Sequence, residues 1–254
     1  MAPSRDAALL TSVAAELHSI TDETVTVQTI LHRSFDLLPE ADHVSLSLRG
    51  RRGTTTLAAS SAPAEHADDL QQSLQEGPAI DLAGESDWFR SGDLLIDARW
   101  PRWGPAAAQL GLRSMLSIGL VNGEAVIGAL HLYADDCGRF NDASRVDLAV
   151  LFGVHVANAL SAARLVSDLE VAIGSRHSIG LAQGILMERY GIDQERAFEF
   201  LRRMSSTSNR KLREVAADLV SEDGGGESEQ VAAGESVSFS GERPRQDSNL
   251  RPAD

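Results

Sequence analysis

SRHSIGLAQGILMERYGIDQERAFEFLRRMSSTSNRKLREVAADLV, residues 175–220, is the stretch whose reading decides the C-terminal fold. Apolar residues recur in it at helical spacing in three runs: Ile179, Ala182, Ile185 and Leu186; Ala197, Phe198 and Leu201; Leu212, Val215, Ala216 and Leu219. Tyr190-Gly191 marks the first break, because glycine is the usual residue just past a helix end. Asp193 stands where a cap would accept from the free backbone N–H groups of the second helix. The run 205–209, Ser-Ser-Thr-Ser-Asn, reads as the second break, with Ser208 or Asn209 as the cap of the third helix. Three helices this short bury too little surface for a catalytic domain, so the stretch reads as an output unit governed by the rest of the chain.

Composition narrows what that rest can be. The 254 residues suffice for one large or two modest domains, and 43% hydrophobic content supports a real core. No apolar run of membrane-spanning length stands out, and the opening MAPSRDAALLTS lacks the apolar centre of a signal peptide, so a cytoplasmic location is expected. A single cysteine, Cys137, excludes an internal disulfide and a cysteine-based zinc site. A net charge of −14 argues against coating nucleic acid by bulk electrostatics, yet Arg202, Arg203, Arg210, Lys211 and Arg213 cluster around the second break. Lys211 is the only lysine, which excludes a GxxxxGK[ST] phosphate loop and a Schiff-base or kinase-type lysine outside the three-helix unit. The seven histidines show no HxH or HExxH spacing, and no GxSxG elbow is present. Neither enzyme, metal site nor cofactor is expected.

Taken in order, residues 5–19 form an amphipathic helix with Leu9, Leu10, Val13, Leu17 and Ile20 on one stripe. Residues 22–38 form a second, with Val25, Val27, Ile30, Leu31, Phe35 and Leu38 inward and Pro39 as its stop. Residues 43–49 alternate like a half-buried strand, and 54–60 are its partner across a glycine turn. A helix over 64–75 follows, then short strands at 79–82 and 93–97, and a helix ending at Leu110. Asn122-Gly123 between the apolar runs 114–121 and 125–133 is a strong hairpin signal. A helix then runs from Ala143 to Leu165 and beyond. This order predicts an α+β domain with an antiparallel sheet flanked by helices, ending near 160–165. Leu165, Leu169, Ala172, Arg176, Ile179, Gln183, Leu186 and Tyr190 step by four and three, the spacing of a coiled-coil seam. Residues 222–254 are dominated by Gly, Ser, Glu and Gln and read as a disordered tail. His131, inside an apolar strand, reads as a core histidine.

At Ala182-Gln183-Gly184-Ile185-Leu186-Met187, with Gly191, Ala197-Phe198, Leu201-Arg202, Asn209-Arg210-Lys211-Leu212 and Val215-Ala216, the helical unit resembles an ANTAR domain. That family is a three-helix RNA-binding output module of transcription antitermination regulators. It commonly has lysine where this chain has Gln183. The first part is similar to the GAF domain of actinobacterial GAF-ANTAR proteins, at Gly77-Pro78, 97–101, 111–114 and 128–133. Related chains often carry cysteine after that Gly-Pro; Ala79 here excludes thiol sensing or covalent chromophore attachment at the position. The resemblance implies a GAF sensor over 5–162 joined by a long helix to an ANTAR unit over 163–221. It implies a homodimer that binds paired RNA hairpins and promotes antitermination, with a small molecule or protein partner acting at the GAF domain. Arg202, Arg203, Arg210 and Lys211 would hold phosphates, and Asn209 would read a base edge or cap the third helix. Gln183 and Met187 would face RNA or pack between helices. A GAF pocket would draw on Trp100, Leu116, Ile118 and His131. Two other readings remain open from the residues: a DNA-binding regulator with the last helix as recognition helix, and a GAF-driven protein-interaction module.

Overall fold

The computed structural model describes residues 4–50, 53–82, 87–123 and 125–232, the last ten of these by backbone only. The chain divides into two compact units, Met1–Glu170 and Val171–Asp254. In the first, Ser4 and Asp22 accept from Ala7 N and Val25 N and so start α1 (Arg5–Ser19) and α2 (Glu23–Leu37). Then come β1 (His43–Gly50), β2 (Gly53–Ala59), α3 (Ala62–Leu74), α4 (Pro78–Asp81), β3 (Trp88–Ser91), a 3-10 turn (Leu94–Ile96), α5 (Trp103–Gln109), β4 (Ser114–Asn122), β5 (Ala125–Ala134) and α6 (Ala143–Tyr190). The five strands form one antiparallel sheet in the order β2-β1-β5-β4-β3. The expected α+β domain with flanking helices is therefore present.

Side chains alternate across a strand, so each strand feeds two cores. Val44, Leu46, Leu116, Ile118, Leu130 and Leu132 pack with Leu17, Ile30, Phe152 and Val156 of α1, α2 and α6. Met115 and Tyr133, one residue out of phase, pack with Leu94, Trp100, Trp103 and Ala67. With both faces covered, β1 is buried throughout its middle, Ser45 and Ser47 included. Its alternation had suggested a half-buried strand; the polar positions instead lie under α3. Two expected strands are helical turns. Pro78 presets the first turn of α4, where Leu82 N donates to Pro78 O at 2.9 Å. The Asp93 carboxylate accepts from Leu95 N and winds 94–96 into the 3-10 turn. The fifth strand is instead β3, a four-residue edge too short to show a period. Val25, expected inward, is 51% exposed.

The second unit comprises the later part of α6, α7 (Gln194–Ser208) and α8 (Leu212–Ala232). Asp193 caps α7 as its position foretold, accepting from Arg196 N at 2.9 Å. The Ser/Thr run does not break the helix where expected. Ser208 Oγ donates back to Met204 O at 2.7 Å, and α7 continues to Ser208. The core is six residues: Ala182, Leu186, Ala197, Leu201, Val215 and Ala216. This divides the expected coiled-coil seam. Leu165 and Leu169 are 61% and 54% exposed, whereas Leu186 is 1% exposed and belongs to the three-helix core. α8 runs past the boundary expected at 221, and the remainder of the expected tail, 233–254, lies outside the described residues. One expectation about membranes is corrected as well. α6 contains an 18-residue window of mean hydropathy 1.6, long and apolar enough to span a bilayer by composition. Of that window 56% is buried inside the protein, as in the core helix of a soluble domain.

Candidate functional site

On α7 the period of 3.6 sorts side chains into faces. Ala197 and Leu201 are buried, while Glu199, Arg202, Arg203 and Ser206 line an open groove of about 420 Å³. The chain then turns at Asn209, whose φ of 52° is left-handed, and Arg210 N closes the turn on Ser205 O at 3.2 Å. Asn209 thus ends α7 instead of capping the third helix. The backbone carbonyl of Lys211 starts α8 by accepting from Glu214 and Val215. Arg202, Arg203, Asn209, Arg210 and Lys211 are all exposed at this end of the unit. Arg202, Arg203, Lys211 and Arg213 have no carboxylate partner among the described residues. Arg210 differs: its Nη1 donates to Asp218 Oδ2 at 2.6 Å, and that carboxylate raises the guanidinium pKa further above its ordinary value. The pair is solvent-exposed on both sides, so water and salt weaken it.

The seven residues expected to meet RNA do not form one patch. Gln183 Nε2 donates to Gln194 O at 3.1 Å, which ties α6 to the first turn of α7. Asn209 follows Gln194 along the same helix by about 22 Å of axial rise. The glutamine is therefore a strut at one end of α7, and the basic corner lies at the other. Met187, one turn beyond Gln183, is 38% exposed. Phe200 and Met204, which carried no expectation, line a further groove between α7 and α8. The available signal was Phe200 itself, an aromatic residue off the Ala197–Leu201 stripe.

In the first unit the four expected pocket residues also divide. Leu116 and Ile118 face α1, α2 and α6, whereas Trp100 and His131 lie on the opposite side of the sheet. Neighbouring strand positions alternate, so 116 and 118 cannot share a face with 131, the partner of Ser117. Trp100 is fully buried and donates from its indole to Asp81 Oδ2 at 2.7 Å, with the Arg99 guanidinium 4.5 Å from its ring centroid. His131 is a core histidine: Nδ1 lies 2.6 Å from Ser117 Oγ, and Nε2 lies 3.4 Å from Ser47 Oγ and 4.0 Å from Asp68 Oδ1. Asp68, 5% exposed, accepts from Thr56 at 3.1 Å and Tyr133 at 3.2 Å. Burial raises the Asp68 carboxyl, with His131 and these hydroxyls opposing it only in part, and burial lowers His131. Both shifts favour the neutral forms, so desolvation outweighs the attraction between the two groups. Burial also holds the Tyr133 phenol well above its ordinary value. Among the described residues no three of His, Cys, Asp or Glu stand together in a way that would hold a metal ion.

A GAF domain model matches residues 20–161, more than half of the chain, and an ANTAR domain model matches residues 167–220. The fold is similar to a GAF domain from a phosphoenolpyruvate-protein phosphotransferase of Coxiella burnetii, at 15% identity and TM-score 0.50, covering 62% of this chain and 94% of that one. It is equally similar to the GAF domain of an Acinetobacter phosphoenolpyruvate-protein phosphotransferase, at 14% identity and TM-score 0.50, covering 65% and 97%. The photosensory core module of a Stigmatella aurantiaca phytochrome aligns at 12% identity and TM-score 0.51, covering 75% of this chain and 42% of that one. At such identities these likenesses speak to the fold alone. No curated protein sequence matches the chain.

Proposed function

The chain belongs to the GAF domain family and carries an ANTAR domain after it, the make-up of a signal-responsive regulator, and from that premise we propose that it binds paired RNA hairpins and promotes transcription antitermination. The observation that carries this reading is the exposed cationic corner at the end of α7, four cations without carboxylate partners among the described residues, in a chain of net charge −14. Cations of this kind hold phosphates, and loop bases unstacked from their neighbours supply the sequence information. The overall charge repels RNA at distance, so binding is local and steeply salt-dependent. RNA held in an antiterminator hairpin cannot form the terminator, and transcription continues.

The protein acts as a cytoplasmic homodimer without catalytic activity. Leu165, Leu169 and Ile173 of α6 are 61%, 54% and 68% exposed, apolar positions that a second copy would cover. A small molecule or protein partner at the GAF domain, within 5–162, sets how the ANTAR unit, 163–221, is presented. The deciding experiment is a gel-shift assay of the full chain with tandem-hairpin RNA recovered from the host by crosslinking. Retention against excess duplex DNA, with increased terminator read-through in a transcription assay, is the expected result. Displacement by duplex DNA would favour a DNA-binding regulator, and a dimer that binds neither would favour a protein-interaction module.

A further inference from the structure

The α7–α8 side of the second unit holds a feature that the cationic corner does not use. A groove of about 520 Å³ opens there, with Phe200, Met204, Val215 and Leu219 as apolar walls and Arg203, Arg210, Asp218 and Glu222 as its charged ones. Its size is within the range of ligand sites, about 300–1,000 Å³. Arg203 also lines the neighbouring groove formed with Glu199, Arg202 and Ser206, so an apolar slot and a charged slot adjoin at one guanidinium. The aromatic residues of this unit face water, as Trp88 does at the sheet edge, 40% exposed, and unlike the core rings of the sheet domain. Trp100, Trp103, Tyr133 and Phe152 are fully buried, whereas Tyr190, Phe198 and Phe200 are 58%, 40% and 42% exposed. The rings of Tyr190 and Phe200 stand 6.0 Å apart. Water-facing rings interleaved with cations hold single-stranded nucleic acid: bases stack on the rings and phosphates meet the cations.

We propose that the apolar groove between α7 and α8 seats one unstacked base of an RNA hairpin loop. Phe200 is the stacking surface, Met204 and Leu219 are side walls, and the phosphate of that nucleotide lies on Arg203, with the backbone continuing past Arg202. This rests on the RNA-binding reading above and adds to it the place where a base is held. Charge complementarity selects a nucleotide over an apolar protein helix: Arg203 in the groove wall and Arg202 in the adjoining groove lack carboxylate partners among the described residues, in a strongly acidic chain. Asp218, also in the groove wall, now holds Arg210 at 2.6 Å. A phosphate arriving there competes with that carboxylate, so Asp218 restrains binding.

The test uses the full chain and hairpin RNAs selected by it from a pool with randomised loops. Each loop nucleotide of the selected RNA is replaced in turn by an abasic one, and affinities are measured for wild type, Phe200→Leu, Met204→Gln and Asp218→Asn. One abasic position should weaken wild-type binding by about five- to 150-fold, the span of a stacked base. Phe200→Leu and Met204→Gln should weaken binding of intact RNA and leave binding of that abasic RNA unchanged. Asp218→Asn should tighten binding several-fold. Both apolar substitutions are at exposed positions, and circular dichroism verifies their folding; if Phe200→Leu misfolds, Met204→Gln decides. Unchanged binding by the variants, or equal losses on intact and abasic RNA, overturns the groove while leaving the RNA-binding reading standing. So does a shift in oligomeric state with RNA binding untouched, which marks a protein contact. A selection that enriches no hairpin removes the RNA-binding reading and the groove with it.

Discussion

Replacing Leu186 by Ala should strongly destabilise the second unit while leaving the sheet domain in place. The side chain is 1% exposed and is one of only six buried residues in its core, three of which are alanines. Truncation removes Cγ and both Cδ carbons, worth about 2.4 kcal/mol in transfer free energy at about 0.8 kcal/mol per carbon. Incomplete collapse of the site adds a cavity term, bringing the total to about 3–4 kcal/mol. The alanines at 182, 197 and 216 cannot reach in to fill the gap. A unit of this size holds about 3–8 kcal/mol of stability in all, so the substitution removes from about two-fifths of it to all of it. Amide exchange in the full chain is the measurement. Protection across α7 should fall by about two to three orders of magnitude, protection across β4 and β5 should hold, and hairpin RNA binding should weaken at 37 °C. Unchanged protection in α7 would refute the reasoning, since it would mean that the three helices draw their stability from something other than this core.

Four further outcomes follow from the geometry. Arg202→Ala together with Lys211→Ala should weaken hairpin RNA binding and flatten the dependence of log K on log salt by about 0.7 per lost phosphate contact; an unchanged slope would remove these residues from the interface. Gln183→Leu should lower the melting temperature of the second unit by removing the bond to Gln194 O, with no change in which loop sequences are selected; altered loop preference would restore it as a base reader. In the sheet domain, the carboxyl of Asp68 titrates above its ordinary 3.8, so the folded state keeps a proton that the unfolded chain releases, and stability declines as pH rises through that window. His131 titrates below 6.5, so the unfolded chain is protonated first and stability declines as pH falls from 6.5; Asp68→Asn should abolish the first slope in thermal melts between pH 4 and 9, roughly, and keep the second. Gly128→Ala should destabilise the domain by about 1–3 kcal/mol or more, because a Cβ there meets the backbone carbonyl of Ser47 on β1; a melt matching the wild type would contradict the β1–β5 register.

The elements that sequence made legible are those whose signals are local and repeated. Asp193 caps α7 where its chemistry places it, and the turn signalled by Asn122-Gly123 joins β4 to β5, with Asn122 itself the last residue of β4, opposite Ala125. Short segments were misread because three or four apolar residues fit either period. Residues 78–81 and 94–96 are helical, and what decided them was Pro78 and the Asp93 side chain. The candidate site was legible in composition more than in geometry. The basic run pointed to the corner at 202–211, but nothing local distinguishes Arg210, held by Asp218 eight residues on, from Lys211. Whether Leu116 and His131 share a face depends on a bulge: the register at the turn, Asn122 opposite Ala125, would carry 131 to 116, and the shift between Leu120 and Val121 moves it to Ser117, which no turn signal reveals. Gln183 is the reverse case: its partner, the carbonyl of Gln194, is a backbone group that no side-chain pattern reveals.

The corner between α7 and α8 has one more property. Lys211 supplies the only ε-amino group in 254 residues, and it is exposed. Amine-directed acylation therefore touches a single side chain of the folded chain, beside the turn at Asn209. A dye or crosslinker delivered by that chemistry above the pKa of the α-amino group, with the N-terminal amine blocked beforehand, becomes a reporter of that corner without any engineered cysteine. The rate at which RNA protects that amine measures occupancy of the corner directly.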